Sequence, residues 1–395
     1  MALAVRTPRA QARRLSVLVD GRHLAGFGAT RGFGRYLRSL LAELARDPDL
    51  DVRALVTRDA VPAVPAGIRP VVVGRRMPGR LADLEHRLRL PLDIARRSSE
   101  VFHSPGAEPP RFCRRPWLQT LHDVPLAFAD ADAPAELREW TRRRRRVWRA
   151  GGVIAVSRYV AERALEMLGI DPERVYVAPH GVDAAFSPDP ARPPGSGAPA
   201  GAGAYLLLVG EYGPHKGYAE AFAMIGALAD RGLPHRLVVV GRLAPWWRPE
   251  VERLIARSGH PERIELAGLA DDRRLAAWYR GADALVVTSR AEGFCLPIAE
   301  AMACGAPVVA FDNTALPETV GDGGLLVPDG DIRALADAVE RLVGDTARWR
   351  QASAAGHRRS RAFSWEACAA VHREAFRAVG GGRAVGGGRA VGGGQ

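Results

Sequence analysis

The run RLVVVG at 236–241 is apolar at four consecutive positions, with none of the polar alternation of a strand that has one face in water. Runs of this kind return along the chain, separated by segments of helical length, and they constrain the fold more than any other feature. In the first half they are LSVLV at 15–19, 52–56, 70–73, 117–121 and VIAV at 153–156, with helical stretches near 33–45, 81–97 and 134–150. In the second they are YLLLVG at 205–210, 236–241, RIEL at 263–266, ALVVTS at 284–289 and PVVAF at 307–311, with helices near 218–230, 249–258, 271–281, 297–304 and 331–343. Strands that are apolar throughout are buried on both faces, so they belong to parallel sheets covered by helices. The chain reads as α/β, with two doubly wound, Rossmann-like domains.

Between the halves, FSPDPARPPGSGAPAGAG at 186–203 is a linker composition of Pro, Gly, Ser and Ala without periodicity. It divides a first domain, 15–185, from a second, 204–362. Residues 1–14 read as a basic tail without the apolar stretch of a signal peptide, and 379–395, part of a repeated RAVGGG unit, as a disordered one. No run of eighteen apolar residues predicts a membrane span. The cysteines, Cys113, Cys295, Cys304 and Cys368, have no metal-ligand spacing. A reducing cytoplasm fits them, with no metal and no cofactor expected.

The net charge of +12 is carried by 55 arginines and a single lysine, Lys216. Arginine this abundant reflects composition, so the charge alone does not imply nucleic acid, and no helix-turn-helix, zinc-finger or RNP pattern supports that partner. Arg142, Arg143, Arg144, Arg145 and Arg146 read either as a solvated helix face or as a peripheral contact with an anionic membrane at its inner face. Lys216 stands out as a compact point charge that an arginine fork does not replace. It lies six residues past Gly210, at the end of YLLLVG and just before a helix. Ligands of such sheets sit beyond the carboxyl ends of the strands, and a helix N-terminus favours anions. A phosphate is the expected guest.

The stretch SRAEGFCLPIAEAMACGAPVVAF, 289–311, is richer. Pro297 suits a first helical position, placing Glu292 on the preceding loop and Glu300 in the first turn. The amides of Gly293, Phe294, Cys295 and Leu296 would then face outward as a nest for a diphosphate, with Gly293 letting a ligand approach. The two flanking carboxylates suit sugar hydroxyls, although Glu300 could instead only complement a helix N-terminus.

Glu292 to Pro297 with Glu300 resembles the Glu-seven-residues-Glu signature of retaining glycosyltransferases of the GT-B fold, in particular glycosyltransferase family 4. EAMACGAPVVAF, ALPETVGDGGLLV, VIAVSRYVAERALEMLGIDPERVYVAPHGVD (153–183), HDVP (122–125) and GATRGFGRYLRSLLAEL (28–44) extend the resemblance over nearly the whole chain. It implies two domains facing each other across a cleft, with a last helix, 363–378, crossing back to the first domain. It implies a nucleotide diphosphate sugar as donor and a glycan, lipid-linked glycan or small molecule as acceptor. Lys216 and the 293–296 amides would hold the diphosphate. Glu300 would accept from the ribose and Glu292 from the transferred sugar. Gly32 and Gly34 would let a first-domain loop close over the phosphates, and His122 and Asp123 would line the acceptor side. Lys216, Glu292 and His122 would thus carry the chemistry, without a side-chain nucleophile.

Two departures stand out. Glu211 occupies a place where many relatives have an arginine, for which Arg242 is the expected substitute, and Cys295 stands where glycine is commoner. Asp130 and Asp132 read as a loop accident, Ser157 as a helix N-cap, His180 and Gly181 as an interdomain turn, and Trp365 and Phe376 as core. A nucleotide-sugar epimerase of the same architecture and a non-catalytic nucleotide or membrane binder remain as alternatives. The donor's base and sugar and the acceptor are not written in the sequence; loops 22–31 and 103–116 are the expected selectors of the acceptor.

Overall fold

The structure, a computed structural model, describes residues 14–25, 32–74, 89–106, 109–123, 145–189 and 203–381. Two parallel sheets carry it. The first holds β1 (Leu15–Asp20), β2 (Leu50–Thr57), β3 (Arg69–Val73), β4 (Val101–Ser104), β5 (Trp117–Leu121), β6 (Gly152–Ala155) and β7 (Val175–Val177), in the order β3-β2-β1-β4-β5-β6-β7. The second holds β8 (Tyr205–Val209), β9 (Arg236–Val240), β10 (Ile264–Gly268), β11 (Ala284–Val287), β12 (Val308–Asp312) and β13 (Leu325–Pro328), in the order β10-β9-β8-β11-β12-β13. The apolar runs are buried as their lack of alternation requires: β6 and β11 are buried at every position. Each sheet reverses its winding once, between β1 and β4 and between β8 and β11, and ligands of doubly wound sheets bind at such points.

Several elements escape the apolar-run reading. β4 is fully buried but only four residues long and carries His103 and Ser104, so the expected selector loop 103–116 begins inside the sheet. β7 and β13 are short, and the helix Thr346–Ser360 is rich in Ala and Arg with few apolar positions. The expected helix 81–97 is described only over Leu90–Ala95. Of 134–150, only 145–150 are described, with a helical end at 145–147. Most of the linker, 190–202, and the tails 1–13 and 382–395 lie outside the described residues.

Two helices join the halves. The last one, Trp365–Gly380, packs against the first sheet and against α1 (Gly32–Leu44), burying Trp365 and Phe376 as expected. The other is Leu296–Ala303, in the glutamate motif. Phe294, Leu296 and Ala299 pack in the core of the first sheet, whereas Cys295, Ile298 and Ala301 pack in that of the second. A helix apolar on all sides is buried on all sides, which explains why GFCLPIAEAMA has so little amphipathic pattern.

Candidate active site

Lys216 closes a short 3-10 turn, Pro214–Lys216, after β8. The next residue, Gly217, has φ 64° and caps the following helix, Tyr218–Asp230. A Cβ there would lie 1.8 Å from the Thr288 carbonyl oxygen, so only glycine lets the β8 loop press onto the β11 loop. The Arg290 amide donates to the His215 carbonyl at 2.8 Å and fastens the two. The lone ammonium is thereby held against the glutamate turn: Nζ lies 2.6 Å from Glu292 Oε1. Burial disfavours its charge, but Glu292 outweighs that and raises the lysine pKa.

The turn itself is tight. Cys295 has φ 69° and is buried, a left-handed conformation that explains why glycine is commoner there. The helix consequently starts at Leu296, making Pro297 its second residue and placing Glu300 in the second turn rather than the first. Among the described residues, the amides of Phe294 and Cys295 donate to no protein acceptor. Gly293 plays a different part from the expected one. A Cβ on it would stand 1.7 Å from the His122 carbonyl oxygen and 2.9 Å from Asp123 Oδ1, so the close approach is that of the first-domain loop. Desolvation, then the charge of Glu292, raises the Asp123 pKa.

Glu300 is buried. It accepts from the Tyr279 hydroxyl at 2.9 Å and pairs with Arg35, which reaches across from α1 and also pairs with Asp272. Burial raises the Glu300 pKa, opposed by Arg35. Burial also works against the Arg35 charge, but Glu300 and Asp272 more than offset it and its pKa is raised. Arg35, Asp272 and Tyr279 are site residues that sequence reasoning missed; Arg35 is one arginine among 55, and only its neighbours single it out.

The first-domain wall is neutral and aromatic. The His122 ring stands 4.7 Å from Tyr36, 5.0 Å from Phe33 and 5.3 Å from His180, with Nε2 2.9 Å from the Pro105 carbonyl. Burial pushes its pKa down to about 4, so the ring is uncharged. Tyr36 shares hydrogen bonds with Thr120 and with His372 on the last helix, and burial takes the His372 pKa to about 4 as well. Gly32 starts α1, where a Cβ would meet Leu296 Cδ1 at 3.1 Å, and Gly34 is buried within it. Gly181 packs against the start of the last helix, where a Cβ would fall 2.2 Å from the Trp365 amide.

Arg242 accepts at its carbonyl from the Tyr212 amide of the β8 loop, at 3.2 Å. It lines a 350 Å³ cavity with Tyr218, Gly241, Leu243, Gly268 and Leu269, at the ends of β9 and β10. Glu318 provides a further seam between the halves. Its carboxylate accepts from the Arg158 and Tyr159 amides at 2.9 and 3.0 Å, at the start of the first-domain helix Arg158–Leu168. Ser157 caps that helix as expected, accepting from Val160 N at 3.1 Å. Arg142, Arg143, Arg144, Asp130 and Asp132 lie outside the described residues. Among the described residues, no helix is long and apolar enough to cross a membrane.

Comparison with known proteins bears on the family and the fold. Residues 30–186 match the model described as Glycosyltransferase Family 4, and 203–345 that described as Glycosyl transferases group 1. The D-inositol 3-phosphate glycosyltransferase of Acidothermus cellulolyticus is 30% identical over 85% of this chain and 83% of its own. The chain belongs to glycosyltransferase family 4. This family 4 chain is also 32% identical to the D-inositol 3-phosphate glycosyltransferase of Xylanimonas cellulosilytica, over 65% of this chain and 64% of that protein, so the match spans just under two thirds of that relative. Its fold is that of the Anabaena protein HepE, crystallised in complex with UDP and glucose: TM-score 0.67, 18% identity, 91% of this chain and 98% of the other. The GT-B fold, two Rossmann-like domains, is therefore that of this family 4 chain.

Proposed function

We propose that the protein is a retaining glycosyltransferase that moves a sugar from a nucleotide diphosphate donor, held mainly by the second domain, to an acceptor held by the first. One observation carries the reading: the lone ammonium, two amides without protein acceptors and two glutamates of one motif share the switch point of the second sheet. That is the donor set a diphosphate and its sugar hydroxyls require. Glu292 would exchange Lys216 for hydroxyls of the transferred sugar, and Glu300 would accept from the ribose. The complex of HepE with UDP and glucose supports a uridine nucleotide as a first candidate.

Charge grows on the diphosphate as the glycosidic bond to it breaks. A fixed ammonium and preorganised amides stabilise that charge without the reorganisation water would need. The reaction is accordingly proposed to need no divalent metal and no side-chain nucleophile, with His122 and Asp123 lining the acceptor side. Uncharged His122 offers a hydrogen-bond partner there rather than a second charge. The test is NMR of the product from a panel of nucleotide sugars and acceptors, with and without chelator. Transfer with the donor's anomeric configuration retained, and unaffected by chelator, is expected; inversion, a strict metal requirement or sugar interconversion without acceptor would refute it.

A lipid-linked acceptor is proposed on a separate observation. Phe112 and Trp148 are 55% and 57% exposed. Phe112 lines a 270 Å³ surface cavity with Arg111, Arg115, Arg146 and Arg149, and Trp148 adjoins that patch in sequence. Aromatic side chains amid arginines suit an anionic bilayer surface. Sedimentation with anionic vesicles should lose most bound protein on Phe112→Ser with Trp148→Ser; equal partitioning would retire the contact.

A further inference from the structure

Glu300 and Glu292 stand at the two ends of one motif, and each holds a cation. Glu292 holds Lys216, from its own domain. Glu300 holds Arg35, which comes from the first domain and is shared with Asp272. Arg242 lines the cavity at the ends of β9 and β10. Arg35 is a cation already in place beside the motif. The first turn of α1 lies over the motif, since a Cβ on Gly32 would meet Leu296 Cδ1 at 3.1 Å. Leu296 and Glu300 are four apart on one helix and share a face, so Arg35, paired with Glu300, lies about one turn along that helix from its amide-bearing end. An arginine side chain spans such a distance by rotation. Its Nε is buried and makes no hydrogen bond, the nearest carboxylate oxygen, Asp183 Oδ2, being 3.6 Å away. A donor thus remains for an incoming oxygen.

We propose that Arg35 is the second cation of the diphosphate site, stored on Glu300 and Asp272 until the ribose hydroxyls of a bound nucleotide take Glu300 and release the guanidinium to the phosphates. The inference rests on the donor-site reading above. Its logic is an exchange of partners. Without donor, each cation is paired with an acid. With donor, each acid accepts from hydroxyls and each cation meets the diphosphate, so every group keeps a hydrogen-bonding partner in either state.

The test is calorimetric titration of the full chain with UDP, GDP and ADP, with their nucleosides, and with inorganic pyrophosphate. For Arg35→Met, diphosphate affinity should fall about 10- to 100-fold, the cost of a charged hydrogen-bonded contact. Nucleoside affinity should be unchanged or higher, because Glu300 is no longer occupied. Equal losses for nucleoside and diphosphate would make Arg35 a structural clamp, and unchanged diphosphate affinity would leave it outside the site; either overturns the proposal. Glu300→Gln gives a second, independent readout if Arg35→Met fails to fold. Freed from storage, Arg35 should bind pyrophosphate several-fold more tightly than in wild type, and equal or weaker binding overturns the proposal. Wild-type protein that binds none of the nucleotides would instead sink the donor-site reading itself, and this inference with it.

Discussion

The two walls of the cleft are built on opposite plans. The second-domain wall is mostly charged and local: Lys216, Glu292 and Glu300 come from the segments that follow the neighbouring strands β8 and β11, and each side chain is paired, Glu300 with Arg35 of the other domain. The first-domain wall, apart from Arg35 and Asp123, is an uncharged aromatic cluster assembled from afar. Tyr36, His122, His180 and His372 meet there from α1, the β5 loop, the interdomain turn and the last helix. A charged wall can bind and stabilise a diphosphate. A neutral, aromatic wall keeps the facing surface dry and strengthens those same charges. Most of the charge thus sits on one side and most of its dielectric setting on the other.

Acidification should test that contrast most severely. His122 and His372 have pKa values of about 4 in the fold against 6.5 unfolded, and burial holds His103 and His180 well below 6.5 too. The unfolded chain therefore takes up protons first as pH falls. Stability is fully present above pH 6.5 and is lost between 6.5 and 4, by roughly 3 kcal/mol for each of the two valued histidines. The raised carboxyls of Asp123 and Glu300 act in the opposite sense and blunt the loss. Denaturant melts at pH 7 and pH 5 check it: flat stability would show that the wall is not dry. On the charged wall, Lys216→Ala should lower kcat by ~10² to 10³ with a productive sugar pair, the usual cost of one preorganised donor. Near-normal turnover in steady-state assays would remove the ammonium from the chemistry.

The seam between the walls gives smaller effects. Gly293→Ala puts a Cβ into the His122 carbonyl and forces the walls apart. We expect kcat/KM to fall by about 10², as displacements near 1 Å can cost. Unchanged kinetics would mean the walls do not close on each other during turnover. Glu318→Ala removes the cross-domain acceptor for two helix amides and should cost about 1 kcal/mol, read from the urea midpoint. No shift would mean that water replaces the carboxylate at no cost.

Legibility followed the same division. Lys216 was visible because it is the single lysine, and the glutamate turn because its spacing lies within one strand-loop-helix unit. Cys295 was noticed as a departure, but its cause, a left-handed backbone, belongs to the three-dimensional turn. Gly293 is expected to let a ligand approach, and nothing local says that what approaches is His122 of the other domain. Arg35 could not be singled out among 55 arginines.

By itself, the sequence determined two parallel sheets, because apolar runs without alternation can be buried only between two layers of helices. It also determined where charge would gather, because loops at a switch point carry their own residues to it. Tertiary structure alone decided what faces that charge. Arg35 and Glu300 are 265 residues apart, and Tyr36 and His372 are 336 apart. No local pattern encodes such pairs; they exist because packing the two cores around one shared helix brings these side chains together.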